Sequence, residues 1–160
     1  REARALFSQQ DFKGAAAKYL VVLNIFPEQP GSVQSLGELA QSYLNLQDKL
    51  FLKVAVQELA DRYGSRPKFR DEAGAALVRL TRTAEEINDN ESAAWLNQLY
   101  FEKFPDHKQA ATMLFQAGER QWEKENYDLA AGYFAKHQMQ QKAVIDGVFG
   151  ELNQDLAPSR

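Results

Sequence analysis

Apolar residues along this chain recur at helical spacing, and no stretch alternates as a half-buried strand would. The clearest stretch runs from Ala3 to Pro30, ARALFSQQDFKGAAAKYLVVLNIFPEQP. It reads as two short helices joined by a tight turn at Gln10-Asp11-Phe12 and closed by proline. A hairpin of that size cannot bury its own apolar face, so it needs neighbours stacked upon it.

The same positions return. Asp11, Ala15, Tyr19, Val22, Phe26 and Pro30 recur 37 residues later as Asp48, Leu52, Val56, Leu59, Tyr63 and Pro67. A shift of 78 gives Asp89, Ala93, Asn97, Tyr100 and Phe104, with Pro27 falling on Pro105. A shift of 115 gives Asn126, Ala130 and Phe134, so the units follow at spacings of 37, 41 and 37. Asn97 in an apolar slot is a departure. Asp or Asn at the start of each second helix suits an N-cap, because its side chain accepts from orphan amides of the first turn. Small Ala15, Ala93 and Ala130 allow close helix approach. Phe26-Pro27, Phe104-Pro105 and Tyr63-Gly64 supply the stops. The first helices carry the matching apolar faces: Leu36, Leu39, Ala40 and Tyr43, then Leu77, Leu80, Thr81 and Ala84, then Leu114, Ala117 and Gly118.

This pattern predicts an all-α fold with helices at about 1–9, 12–26, 32–46, 49–63, 69–87, 90–104, 107–124 and 127–140. They form four hairpins at 1–30, 31–67, 68–106 (a degenerate one) and 107–138. After His137 the pattern fails. Val144, Val148 and Leu152 predict a separate amphipathic helix within 139–160 that caps the last hairpin, as an open end requires, or begins a fifth unit. Leu156 to Arg160 reads as a frayed tail.

Ala3-x2-Leu6, Asp11-Phe12, Ala15, Tyr19 and Pro27 in the first unit, Ala40-x2-Tyr43, Asp48, Leu59 and Pro67 in the second, and Gly118, Asn126-Tyr127, Ala130 and Phe134 in the fourth carry a resemblance. Together, over residues 1–138, the chain resembles the tetratricopeptide repeat, or TPR, family. Its opening Trp is replaced by Leu36, Leu77 and Leu114. The resemblance implies a right-handed superhelical stack whose first helices line a concave, partner-binding groove. Carried over position by position, that groove would hold Arg4, Phe7 and Ser8, then Gln34, Gln41, Leu44 and Asn45, then Val78, Arg82, Glu85 and Glu86, and last Phe115, Glu119, Trp122 and Glu123. Trp122 stands out as an aromatic anchor unless a capping helix covers it. Trp95 reads as packing beside Leu99. The closings around Phe26-Pro27 and Phe101 to Pro105 are similar to those of bacterial envelope repeat proteins, namely outer-membrane assembly lipoproteins and Tol–Pal coordinators. That implies a periplasmic or outer-membrane setting, with the cytoplasm as the alternative.

Composition narrows the function. The 160 residues are 44% hydrophobic and 26% charged, as an ordinary globular domain requires. A net charge of -3 gives no basic excess for nucleic acid. With no cysteine, thiolate metal sites and Cys nucleophiles are excluded. No apolar run is long enough to span a membrane. The chain opens at Arg1 without Met and reads as a segment, with any signal peptide or lipid anchor lying outside it. Phosphate-loop, dinucleotide and nucleophile-elbow motifs are absent. His107 reads as a solvated loop residue and His137 as a residue late in a helix. Glu85, Glu86, Asp89 and Glu91 read as a solvated turn. Arg62, Arg66, Lys68, Arg70, Arg79 and Arg82 read as a solvated basic patch open to an acidic partner. The expectation is a non-enzymatic scaffold for a protein or peptide partner, with no catalytic, cofactor or metal residues. The alternative is a regulatory or targeting domain of a larger protein, enzymes included.

Overall fold

A computed structural model describes residues 1–155, with side chains through Leu152, and the chain is all-helical over that range. The elements are α1 (Glu2–Ser8), α2 (Phe12–Ile25), α3 (Ser32–Asn45), α4 (Lys49–Glu58), α5 (Pro67–Glu86), α6 (Asn90–Lys103), α7 (Ala110–Glu123) and α8 (Tyr127–Asp155). α4 runs on through one π-helical turn, Leu59–Tyr63. The chain divides into two compact units, Arg1–His107 and a second from Lys108 onward.

One turn is used four times. Gln10, Gln47, Asn88 and Glu125 all take positive φ, between 58° and 63°. Their spacing repeats the 37, 41, 37 pattern seen in the sequence. In each turn the residue after the left-handed one sends its amide back five positions, as in Asp11 to Leu6 at 2.9 Å and Asn126 to Gln121 at 2.8 Å. That is the Schellman pairing, which satisfies carbonyls the helix end leaves open. The next helix is then capped: Asp11, Asp48 and Asp89 accept from the amides of Gly14, Phe51 and Ser92 at 3.0, 3.2 and 3.1 Å. Asn126 instead donates its side-chain amide to Gln121 at 3.0 Å.

In the first unit, α1 packs on α2, α2 on α3, α3 on both α4 and α5, and α5 on α6. Ala15, Ala40, Val56, Leu77, Leu96 and Phe104 fill the space between them and are buried. The basic stretch is not a free patch. Arg66 pairs with Glu28 at 2.9 Å, and Arg62 with Glu58 at 2.9 Å. Arg70 pairs with Asp106 and donates to the carbonyls of Gly64 and Lys103 at 3.0 and 2.9 Å. Arg66 and the Arg70 bond to Gly64 tie one hairpin to the next, Arg62 pairs within its own helix, and Arg79 and Arg82 stay exposed on α5. The acidic turn is used likewise, since Lys49 pairs with both Asp89 and Glu91.

His107 corrects a second expectation: it is buried, not solvated. Its Nε2 lies 3.0 Å from the Asp71 carbonyl and 3.3 Å from the Asp71 carboxylate. A carbonyl only accepts, so Nε2 carries a proton, and Nδ1 pairs with the Tyr100 hydroxyl at 2.8 Å. Gly74 makes the space, since a Cβ there would stand 2.6 Å from the ring.

In the second unit α7 and α8 form a hairpin. A Cβ on Gly118 would meet the Phe134 ring at 2.6 Å, and Phe115 lies 5.5 Å from His137. This register sets the start of α7 opposite about residue 142. The separate capping helix expected from 139 does not form; α8 continues unbroken to Asp155. Polar Met139 to Lys142 contains no breaker, and Gly147 and Gly150 cost only about 1 kcal/mol each against Ala. Met139, Val144, Ile145, Val148, Phe149 and Leu152 consequently stay exposed. The expected tail, Leu156 to Arg160, lies outside the described residues. α5 also starts earlier than expected, with Pro67 in the first turn, and α7 starts later, at Ala110.

Two substitutions test these points by chemical denaturation. Gln10→Gly should raise stability by about 0.5–1 kcal/mol, because the exposed Gln10 holds a left-handed conformation that an L side chain resists. Gly74→Ala, usually favourable within a helix, should instead lower stability by about 1–3 kcal/mol by displacing His107.

Candidate functional site

The candidate site is a groove in the first unit, built by one side of α1, α3 and α5. It encloses about 440 Å³. Along α3, Gln34, Glu38 and Gln41 recur at three- and four-residue steps and so share a face. Along α5, Glu72, Ala76 and Arg79 do the same, and Phe7 of α1 forms a wall. The floor is small because the helices approach closely: a Cβ on Gly37 would stand 3.4 Å from that of Ala76. Phe7 is held edge-on against Phe12, with centroids 5.6 Å apart.

Glu38 is the fixed polar point of this groove. Its side chain is only 18% exposed. The Tyr19 hydroxyl donates to one oxygen, and Gln34 Nε2 donates to the other at 3.2 Å. Arg4 Nε stands 3.6 Å away. Burial, and then the Glu38 carboxylate, hold the Tyr19 hydroxyl well above its ordinary pKa. A second cavity of about 430 Å³, bordered by Arg4, Ser8, Tyr19 and Ser35, opens beside it. The arrangement offers amides, an oriented carboxylate and one cation over an apolar floor. That chemistry suits a polypeptide's backbone and side chains.

Of the expected groove residues, Phe7, Gln34 and Gln41 come together here. Arg4 and Ser8 border the second cavity. Asn45 lies a turn farther along α3 and donates to the Gln41 carbonyl at 2.8 Å. Leu44 and Val78, expected in the groove, are core residues at 1% exposure each. α3 is packed by three helices at once, so its apolar arc is wider than one stripe, and α5 is turned so that Arg79, not Val78, faces the groove. Arg82, Glu85 and Glu86 do not line the cavity. The sequence reading missed Glu38, Glu72, Ala76 and Arg79; the polar i, i+3, i+4 run of Gln34, Glu38 and Gln41 was the available signal.

Phe115, Glu119, Trp122 and Glu123 belong to α7 in the second unit. Phe115 packs against Phe134 at 5.6 Å. Trp122 is 60% exposed, and its ring stands edge-on to Tyr127 with centroids 4.9 Å apart. No helix covers it. Trp95 is half-buried, with Lys53 Nζ 5.7 Å from its ring centroid. No family model, curated protein or solved structure matches the chain.

Glu38 should couple groove and core. Tyr19→Phe deletes one donor to a largely buried carboxylate, and the expected loss is about 1–2 kcal/mol. Urea denaturation of the variant checks this; an unchanged midpoint would show that Glu38 is oriented without Tyr19.

Proposed function

We propose that this chain is a non-enzymatic interaction scaffold that holds a segment of a protein partner along the groove of α1, α3 and α5. The carrying observation is the convergence of Phe7, Gln34 and Gln41 on one cavity with Glu38 and Arg79. Amides read a partner's backbone, the charged pair fixes its register, and Phe7 with Leu80 buries an apolar side chain. On this reading the hairpins stack as TPR-like units into a right-handed superhelix. The fourfold turn at 37, 41 and 37 residues supports that arrangement. Assembly of a bacterial envelope complex is the narrower form of the proposal, supported by the Phe-Pro closings at 26–27 and 104–105.

Site-specific photo-crosslinking tests the groove. A benzophenone side chain replacing Gln41 should give a discrete adduct in extract of the source cells, whereas one replacing exposed Gln98 on α6 should not. Gln34→Trp, which fills the cavity, should abolish the Gln41 adduct while leaving the melting temperature near that of the parent. Equal adducts from both positions would place the partner elsewhere.

A further inference from the structure

We infer that the tip of the α7–α8 hairpin is a second binding surface, one that takes a basic, arginine-bearing segment of a protein partner. It belongs to the second unit and does not rest on the reading of the α1–α3–α5 groove.

The surface begins with an aromatic pair in solvent. Trp122 is 60% exposed and Tyr127 53% exposed. Each braces the other edge-on at 4.9 Å between centroids, while most of the Trp122 ring stays in solvent. Exposed, rigid Trp and Tyr are the residues that most often dominate binding energy at an interface. Beside this pair, apolar burial does not explain the pattern of charges. Within residues 119–128 stand four acids, Glu119, Glu123, Glu125 and Asp128. Among the described residues none of these four side chains forms a hydrogen bond or ion pair, whereas the stretch's two cations, Arg120 and Lys124, both have partners already. Glu119 and Glu123 lie on adjacent turns of α7, flanking Trp122 at i-3 and i+1. Two like charges four residues apart on a helix repel slightly, so the arrangement costs the free chain stability.

This combination selects the occupant by charge. An anionic lipid surface or a nucleic acid would meet uncompensated carboxylates. A wholly apolar partner would strip water from those carboxylates and give nothing back. A guanidinium satisfies both halves of the site: it stacks on the exposed Trp122 ring while its N–H fork donates to a flanking carboxylate. An ammonium fits less well, because it is more strongly hydrated and lacks the flat face.

Titration calorimetry of the full chain with acetylated, amidated Arg-Gly-Arg-Gly-Arg-Gly tests this directly. Saturable binding is expected, weakened by salt and at least about 5-fold tighter than for the Lys-Gly counterpart. The Glu-Gly counterpart should not bind. Trp122→Ala should weaken the Arg-Gly peptide by at least about 5-fold while lowering the melting temperature less than Tyr43→Ala, since Tyr43 is buried and stacked on Phe51. The combined Glu119→Gln, Glu123→Gln, Asp128→Asn variant keeps the rings and should weaken it comparably. If the arginine peptide binds wild type and both variants equally, general attraction to an acidic protein explains it and the proposal is overturned. The proposal also fails if Lys-Gly and Arg-Gly bind alike, or if neither binds. Should Trp122→Ala unfold, the charge variant decides by the same criterion.

Discussion

Where two helices meet at a tight turn, the last carbonyls of one and the first amides of the next have no intrahelical partner. Everything else in this chain depends on how that deficit is met. A left-handed residue aims the following amide back at the outgoing helix, and an Asp side chain then serves the incoming one. The whole exchange takes two residues. Short turns fix the helices antiparallel and close together, which is why Ala15, Ala93 and Ala130 sit at their contacts and are buried. Packing of α3 against α5 then follows from the length of the hairpins, and the groove exists because Gly37 and Ala76 leave nothing large between them.

Charged and polar side chains perform a different task, joining one hairpin to its successor. Arg66 reaches Glu28 and Lys49 reaches Asp89 and Glu91 across hairpins, while Arg70 to Asp106, and His107 between Tyr100 and Asp71, tie the two ends of the α5–α6 hairpin together. Most of these pairs are exposed, and each contributes little alone. The buried histidine differs, because all its polar atoms are used and its ring fills the space over Gly74. Arg70 and His107 both hold the loop after α6, one from outside and one from within.

Turn positions and three of the four expected caps were legible in the sequence, because capping chemistry is local: Asp11, Asp48 and Asp89 act on amides three residues away. Rotation of each helix was less legible, because it is set by neighbours distant in sequence. Leu44 and Val78 fall at groove positions of the tetratricopeptide pattern, yet they are core residues because α3 and α5 are buried over a wider arc. His107 looked like a loop residue because its loop position is plain and its acceptor on Asp71 is not. The polar run before Lys142 looked like a break, although polarity marks exposure rather than the end of a helix. A third of the groove lining was visible in Phe7, Gln34 and Gln41; Glu38 was hidden because its partners Tyr19 and Arg4 come from other elements.

The ties between hairpins share a common reach. Tyr63 to the Pro27 carbonyl spans 36 residues, Arg66 to Glu28 38 and Lys49 to Glu91 42. Each is about the length of one unit, so a hairpin's partners are complete once the next hairpin has been added. Loop closure over such distances is entropically mild, and contacts of this short range favour fast folding. As it leaves the ribosome, the first unit can therefore condense vectorially, each newly made hairpin settling on the one before it.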